Sequence, residues 1–343
     1  MKKINALLIM VAVLGIGTAV AKPVHAALTT NSSESTTATS DSSSSDSTEA
    51  VQTKALTSPY VVYGAGLASE DKDQIKETLG VSSNYKSLTA TGSDYAKYIN
   101  SAGTTDASMI SSVALAPADP GTGVKVNIEK FNGQDNITEV TSQQYAMVAT
   151  MAGVNDVIIT VTANKSVSGE SALTGVYEAL AADGISLDNQ NTQAANGVLD
   201  ATQSAIDQNS SDDKYPGKLM GAVGNVSSEL AEDHQKNGDY ATNEEIKQML
   251  EDELDKQGIK SDTSVTVINN IVVALANVQK APVSNTKSYV KNASKVADEI
   301  SNSVGDKMAD LSDFANSEDA KKAEGFLANI WNSIVSFFQN LFN

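Results

Sequence analysis

A short run near the middle of the chain, NDVIITVTA (Asn155 to Ala163), constrains the fold more than any other segment. Its centre is an unbroken series of β-branched and apolar residues, which is typical of a β-strand. Segments with helical periodicity lie on both sides of it, SQQYAMVATMAG before it and SGESALTGVYEALAADG after it. Strands that alternate with helices form layered sheets, so we predict a mixed α/β sheet domain over residues 56–185.

Other segments of this domain carry their own signals. YVVYGAGL has the composition of a buried strand, and SEDKDQIKETLG continues as a helix that begins at Ser69 and ends at Gly80. ISSVALAPAD and GVKVNIEKF also have strand composition, and residues 117–121 between them contain two Pro and one Gly. This punctuation predicts that the two strands form a hairpin.

The sequence changes character after Gly184. Residues 186–312 contain several long stretches with helical periodicity, and Thr242 with Glu245 forms a capping box at the start of one of them. We therefore expect an α+β protein. An N-terminal mixed α/β sheet domain would be followed by an all-helical region and by a C-terminal amphipathic helix.

A likeness to a known family is carried by residues 161–180, VTANKSVSGESALTGVYEAL. The strand end at Ala163, the turn Val167-Ser168-Gly169 and the helix start that follows, together with AGVNDVIITVTA and GLASEDKDQIKETLG, resemble the YpuA-like family of exported proteins from Gram-positive bacteria. That family is of unknown function. The resemblance implies export, a related fold and a C-terminal helix rich in Phe and Trp, and it implies no catalytic residues.

The first 55 residues read as a targeting segment and a spacer. Lys2 and Lys3 precede the apolar run ALLIMVAVLGIG, and small residues follow, so residues 1–26 are predicted to be a signal peptide cleaved after Ala26, with Ala21 as the alternative site. Residues 27–55 consist largely of Ser, Thr, Asp, Glu and Ala. They are predicted to form a disordered spacer, because such a composition buries too little apolar surface to offset the entropy of ordering.

Composition excludes one broad class of function. The formal net charge is -18, there is no Cys, and all 24 cationic residues are Lys, because the chain contains no Arg. Nucleic-acid binding depends on basic side chains that neutralise phosphates, so a nucleic-acid partner is not expected. The absence of Cys agrees with an exported domain that forms its core by packing alone.

Motifs for chemistry are weak. The stretch 64–66, Gly-Ala-Gly, lacks the third glycine of a dinucleotide-binding loop, and His234 is the one imidazole outside the predicted signal peptide. Residues 188–200 imitate a calcium loop, but Gln193 stands where glycine is required. SVSGES (166–171) suits either an anion at a helix start or a plain cap by Ser168 or Ser171. We therefore predict no catalytic, cofactor-binding or metal-binding residues and no cofactor.

The C-terminal residues 325–343, GFLANIWNSIVSFFQNLFN, contain the only Trp and four of the six Phe but no charged side chain. On a helical projection the large apolar residues occupy one half of the surface, and Asn, Ser and Gln occupy the other half. These apolar residues are the predicted docking residues: Phe326, Leu327, Ile330, Trp331, Ile334, Val335, Phe337, Phe338, Leu341 and Phe342.

Three surfaces are open to this helix: its own domain, a membrane interface, or another protein. The sequence predicts an exported, non-enzymatic module of the cell envelope or cell surface that docks to membrane or to a protein partner through this helix. The alternative is an extracellular carboxylate-based hydrolase, acting on cell wall or glycan, whose C-terminal helix docks on its own body. The sequence leaves the oligomeric state open.

Overall fold

The structure is a computed structural model, and it describes residues 56–99 and 103–303. These residues contain five β-strands and nine α-helices. The strands are β1 (Tyr60–Gly64), β2 (Lys86–Ala90), β3 (Ser112–Pro117), β4 (Val124–Ile128) and β5 (Val157–Thr162). The helices are α1 (Lys72–Thr78), α2 (Gly92–Ile99), α3 (Ser142–Met151), α4 (Glu170–Ala182), α5 (Asn189–Gln208), α6 (Tyr215–Asn237), α7 (Asn243–Lys256), α8 (Val265–Val278) and α9 (Lys287–Ser301).

The strands form one mixed sheet in the order β2-β1-β3-β5-β4. β1 and β2 are parallel, β4 and β5 are parallel, and β3 runs antiparallel to both of its neighbours, β1 and β5. From α5 onward the described residues form α-helices and short 3-10 turns. The predicted α+β fold class, a mixed sheet followed by a helical region, is confirmed for the described part of the chain.

The hairpin predicted for residues 112–128 is wrong. β3 and β4 are not paired with each other, because β5 lies between them and pairs with both. β4, α3 and β5 instead form a parallel strand–helix–strand unit, in which α3 packs on β4. The turn signal between β3 and β4 is local, whereas the pairing is decided by a strand that comes about thirty residues later in the chain.

Both faces of the sheet are covered. Along β1, Tyr60 and Val62 face the main core, whereas Val61 and Tyr63 face a smaller apolar cluster that includes Ile75 of α1. Successive side chains of a strand point to opposite faces. A strand buried on both faces therefore needs a continuous apolar run, which is why YVVY shows no alternation with polar residues.

The helices that follow the sheet pack on the same main core. α3, which lies against β4, also contacts α5, α6 and α9. α6 and α9 make the most extensive helix–helix contact, and glycine lets them approach closely. A Cβ added at Gly217 of α6 would lie 2.5 Å from the carbonyl oxygen of Ile300 and 2.9 Å from that of Ser303.

Asp183, just after α4, holds the first described residues in place. Its carboxylate accepts hydrogen bonds from the backbone N–H of Thr57 at 2.5 Å and from the Thr57 Oγ1 at 2.9 Å. It also accepts one from the Tyr60 hydroxyl at 2.9 Å. The beginning of β1 is thereby fastened to the end of α4.

Helix ends agree with several sequence signals. The capping box of Thr242 and Glu245 begins α7, and both of its hydrogen bonds are present. Gly80 has a φ of 68°, as expected for the residue that ends a helix in the left-handed conformation. Ser69, however, lies in a short 3-10 turn, and α1 begins later, at Lys72.

Candidate functional site

The predicted docking residues lie outside the described part of the chain. They are Phe326, Leu327, Ile330, Trp331, Ile334, Val335, Phe337, Phe338, Leu341 and Phe342. The predicted signal peptide (1–26) and spacer (27–55) also lie outside it. Within residues 56–99 and 103–303, none of the helices is long and apolar enough to cross a membrane.

The described residues bring polar groups together where SVSGES (166–171) leads into α4. Gly169 is the N-cap of α4 and has a φ of 109°, a conformation that favours glycine. A Cβ at this position would lie 2.5 Å from the Tyr145 hydroxyl and 2.7 Å from Cγ2 of Ile137. The Tyr145 hydroxyl donates a hydrogen bond to the carbonyl oxygen of Gly169 at 2.6 Å. Both the backbone and its neighbours therefore require glycine here.

Two buried serines hold the start of α4 against the residues that precede β3. The backbone N–H of Ser111 donates to the Ser171 Oγ at 3.1 Å, and the Ser111 hydroxyl donates to the carbonyl oxygen of Gly169 at 3.1 Å. The two hydroxyl oxygens are 2.5 Å apart. These groups satisfy one another, so the serines are best explained as structural.

This geometry corrects the interpretation of SVSGES as a serine cap. The cap is Gly169, and neither Ser168 nor Ser171 occupies that position. The alternative, an anion site, is disfavoured because Glu170 is the first residue of α4. Its negative charge already complements the positive end of the helix dipole and would repel an anion.

Glu170 and Asp200 form what we call the carboxylate pair. Glu170 is half-buried at the start of α4, and Asp200 is exposed on α5. The Tyr95 hydroxyl, from α2, donates a hydrogen bond to Glu170 Oε2. α2 contacts both α4 and α5, so Tyr95 lies where the three helices meet.

The surroundings of the carboxylate pair change the pKa of Asp200 and of the neighbouring Tyr95. The pKa of Asp200 is raised above its ordinary value of 3.8. The larger cause is the partial removal of its carboxyl group from water, and the smaller cause is the negative charge of Glu170. Burial is also the main reason that the pKa of Tyr95 is raised, and the hydrogen bond to Glu170 adds to it. Tyr95 therefore remains a neutral donor at any physiological pH.

A second group of polar side chains lies one to two helical turns from the carboxylate pair along the same helices. Thr174 and Tyr177 on α4 and Asn196 on α5 are all buried, with exposed fractions of 0%, 0% and 4%. The Thr174 Oγ1, the Tyr177 hydroxyl and the Asn196 Oδ1 have no hydrogen-bond partner. Buried polar atoms almost always have a hydrogen-bond partner, so these three unpaired atoms, called the orphaned atoms below, are unusual and need an explanation.

Tyr98 of α2 contacts two of these three side chains. The Asn196 Nδ2 donates to the carbonyl oxygen of Tyr98 at 3.2 Å. The rings of Tyr98 and Tyr177 have centroids 5.4 Å apart. The orphaned atoms of Asn196 and Tyr177 therefore belong to side chains that contact the same tyrosine.

The local charge balance is negative. Lys97 of α2 lies 3.8 Å from Glu178 and donates to the Tyr98 hydroxyl at 2.8 Å. Neither member of the carboxylate pair forms an ion pair with another described residue. In the same part of the chain, no group of three or more His, Cys, Asp or Glu side chains is arranged to hold a metal ion. The arrangement offers oxygen acceptors and negative charge, which suit a cation or a hydroxyl-rich molecule.

The other motifs singled out in the sequence have structural explanations. Gly64 and Gly66 lie against the residues before β3, and added Cβ atoms would be 2.1 Å from the carbonyl oxygen of Met109 and 2.5 Å from that of Ala107. Close backbone packing therefore accounts for both glycines. His234 lies in the last turn of α6, as expected, and its ring stacks on that of Tyr240 at 4.0 Å.

Sequence reasoning missed the carboxylate pair and the orphaned side chains. A signal was present within each helix, because Glu170 with Thr174 and Asn196 with Asp200 are four residues apart and share a helix face. The sequence gives no indication that α2 packs against both of these helices. Residues 188–200 were compared with a calcium loop, whereas most of that segment is the helix α5.

Comparisons with known proteins agree with the resemblance noted in the sequence. The family model described as "Protein of unknown function (DUF1002)" matches residues 63–296. The chain is similar to "Uncharacterized protein YpuA" from Bacillus subtilis (strain 168), with 28% identity over 295 residues, which cover 81% of this chain and 89% of that protein. No solved structure matches the chain.

Proposed function

Because this chain belongs to the DUF1002 family of proteins of unknown function, we propose its function from its own residues. It is an exported, non-enzymatic module of the cell envelope that docks through the apolar face of its C-terminal helix, residues 325–343. Membrane or a protein partner would fit this face, and we favour the membrane interface. Trp and Phe suit the boundary between head groups and acyl chains.

The observation that carries this proposal is the contrast between the wide apolar face predicted for the helix and the few apolar side chains exposed on the described residues. The docking helix offers ten large apolar residues on one half of its surface. The large apolar side chains exposed on the described residues are Tyr240, Val265 and Val273. Three side chains, two of which are valines, offer too little apolar surface to cover so wide an apolar face. This supports an occupant outside the body.

The free energy of apolar burial favours contact between the apolar face of the helix and another surface. Burial of one large apolar side chain is worth about 1.5–3 kcal/mol, so ten partly buried ones supply on the order of 10 kcal/mol before ordering costs. A helix of this length that is rich in Asn and Ser is marginal by itself. The segment therefore gains its helical structure together with its contact surface.

Export is part of the proposal. It is supported by the basic start, the apolar run and the small residues up to Ala26, and by the absence of Cys. The polar half of the docking helix carries no Lys, so anionic lipid would add no attraction. Binding would then depend on apolar burial, and neutral lipid would serve at least as well as anionic lipid, which repels a chain with a net charge of -18.

Vesicle flotation tests the proposal. The chain from residue 27 to 343 is mixed with vesicles of phosphatidylcholine, with or without phosphatidylglycerol, beside a version that ends at Glu324. We expect the full-length form to float with both lipids and the shortened form to stay at the bottom. Trp331→Glu should abolish flotation, whereas Asn332→Glu, which adds the same charge on the polar side, should retain most of it.

Two outcomes would contradict docking to a membrane. If neither form floats and the form ending at Glu324 unfolds at a markedly lower temperature, the helix belongs to the fold. If neither floats and both are equally stable, a protein partner takes the place of the membrane. Equal loss of flotation in the Trp331 and Asn332 variants would show that charge, and not the apolar face, controls binding.

A carboxylate-based hydrolase is the second candidate, and one observation favours it. The pKa of Asp200 is raised beside a second carboxylate, Glu170, as in pairs that divide acid and base roles. Hydrolysis of purified cell wall by the wild-type chain, abolished by Glu170→Gln, would support it. If neither the wild type nor the variant releases sugar, this candidate is rejected.

A further inference from the structure

The helix α8 presents an exposed face that carries no charge. From Thr263 to Gln279 the sequence contains no Asp, Glu, Lys or Arg. One side of α8 is buried, and the residues on its other side are exposed. We call the exposed side the neutral face, and its residues are Val265, Thr266, Asn269, Asn270, Val273 and Asn277. This side of the helix therefore offers a partner two valines, three amides and one hydroxyl.

Such a face is unusual on this chain, which has a formal net charge of -18. Among the described α-helices, α3 also lacks charged residues, but all of its residues are buried. The neutral face also holds two of the three large apolar side chains exposed on the described residues, Val265 at 66% and Val273 at 56%. A partner that is itself acidic is repelled by a surface rich in acids, and it meets no like charge on this face.

The neutral face has a pattern that suits a copy of itself. Val265, Asn269, Val273 and Asn277 recur every four residues, so they form one ridge along the helix. Asn269 lies midway between the two valines, about 6 Å along the axis from each. If a second α8 packs antiparallel, with a two-fold axis at Asn269, Val265 of each copy meets Val273 of the other. The two Asn269 amides then meet at the axis, where each offers both a donor and an acceptor.

The ends of α8 favour the antiparallel orientation. Asp262 lies just before the helix and Lys280 just after it, and both are exposed. An antiparallel pair brings the acidic end of each copy towards the basic end of the other. A parallel pair would bring like charges together at both ends. The charges that flank the neutral face are therefore complementary to those of a second, antiparallel copy.

We propose that the neutral face of α8 binds the neutral face of a second copy of this chain, in an antiparallel pair around a two-fold axis. Contacts of this kind are isologous, because the same surface is used on both subunits. A helix of 14 residues is about 21 Å long, so one helix pair buries less than the roughly 800 Å² per partner of a standard interface. The dimer is therefore weak and reversible. It uses no residue of the docking helix.

Sedimentation equilibrium tests the dimer. The chain from residue 27 to 343 is compared with Val273→Asp, which places two acids inside the interface. Ser83→Asp is the matched control, because it adds the same charge in an exposed turn before β2, outside the neutral face. Trp331→Glu tests whether the docking helix causes association instead. We expect the wild type, Ser83→Asp and Trp331→Glu to dimerise alike. Val273→Asp should dimerise at least about tenfold more weakly, because like charges facing each other across an interface are strongly unfavourable.

Three outcomes of this experiment overturn the proposal. The first is a wild type that remains monomeric at every concentration. The second is equal weakening by Val273→Asp and Ser83→Asp, which would show a general effect of charge. The third is association that Trp331→Glu abolishes and Val273→Asp leaves intact, which would assign it to the docking helix.

Cross-linking tests the position of the axis and serves also if Val273→Asp fails to fold. The chain contains no Cys, so Asn269→Cys introduces a single thiol. At the two-fold axis this thiol should oxidise readily to a disulfide-linked dimer. Val265→Cys should not, because the two copies of residue 265 are offset by about 12 Å along the helices, beyond the reach of a disulfide. Equal cross-linking of both variants, or none of Asn269→Cys, overturns the proposed pairing.

Discussion

Substitution of Gly217 by Ala tests a close approach of α6 to the backbone at the end of α9. The added Cβ would lie 2.5 Å from the carbonyl oxygen of Ile300, which is backbone and cannot rotate away. Overpacking of this kind costs about 1–3 kcal/mol, and the intrinsic preference for Ala over Gly in a helix returns up to about 1 kcal/mol. We therefore expect a net loss of about 1–2 kcal/mol in the free energy of unfolding.

Gly197 provides a matched control. It lies in the middle of α5, and an added Cβ there has nothing within 4 Å. Gly197→Ala should therefore gain about 0.5–1 kcal/mol from helix propensity alone. The same chemical change is thus expected to have opposite signs at the two positions.

Thermal unfolding followed by circular dichroism measures both effects. For a domain of this size, 1 kcal/mol shifts the midpoint by about 2–4 °C, so Gly217→Ala should unfold about 2–8 °C below the wild type. Gly197→Ala should unfold about 1–4 °C above it by the same conversion. If Gly217→Ala were as stable as the wild type, α6 and the end of α9 would not be in close contact, and the reasoning would fail.

Two further substitutions test other contacts. Asp183→Ala removes the acceptor of the hydrogen bonds from Thr57 and Tyr60. The free energy of unfolding, measured by urea titration, should fall by about 1–3 kcal/mol. An unchanged urea midpoint would show that Asp183 does not hold the beginning of β1 against the end of α4. Asp200→Asn should raise the unfolding temperature at neutral pH. This increase should disappear below pH 3.8, the ordinary pKa of the group. A raised pKa in the folded state, caused first by burial and then by the charge of Glu170, means that stability falls as Asp200 ionises with rising pH. An effect of equal size at both pH values would show that ionisation of Asp200 carries no cost in the folded state.

Local sequence signals predicted the elements well. The β-branched run at 157–162 is a strand, the capping box at Thr242 begins a helix, and the helical region after Gly184 is helical as far as the structure describes it. Each of these features depends on residues close together in the chain, so propensity, periodicity and capping are sufficient to identify them.

Contacts between distant residues could not be predicted in the same way. The order of β3, β5 and β4 depends on pairing between strands that are distant in the sequence. A turn signal between β3 and β4 carries no information about that pairing. The carboxylate pair joins residues 30 positions apart on different helices, and Tyr95 approaches from a third. An acid on a predicted helix normally indicates a solvated surface, and only the packing of α2 against α4 and α5 distinguishes Glu170 and Asp200 from other acids.

The shared core also determines when the chain can complete its folding. β3 is paired along both edges only when β5 has arrived, and the buried Gln143 of α3 donates a hydrogen bond to Ser303, 160 residues later. A chain that emerges from a translocation channel with its N-terminus first would expose the apolar side of α3 until α6 and α9 follow. Non-local closure of this kind is slow and leaves apolar surface open to aggregation. Refolding should therefore proceed as a late, concerted step, in which α9 closes a core that was begun by residues much earlier in the chain.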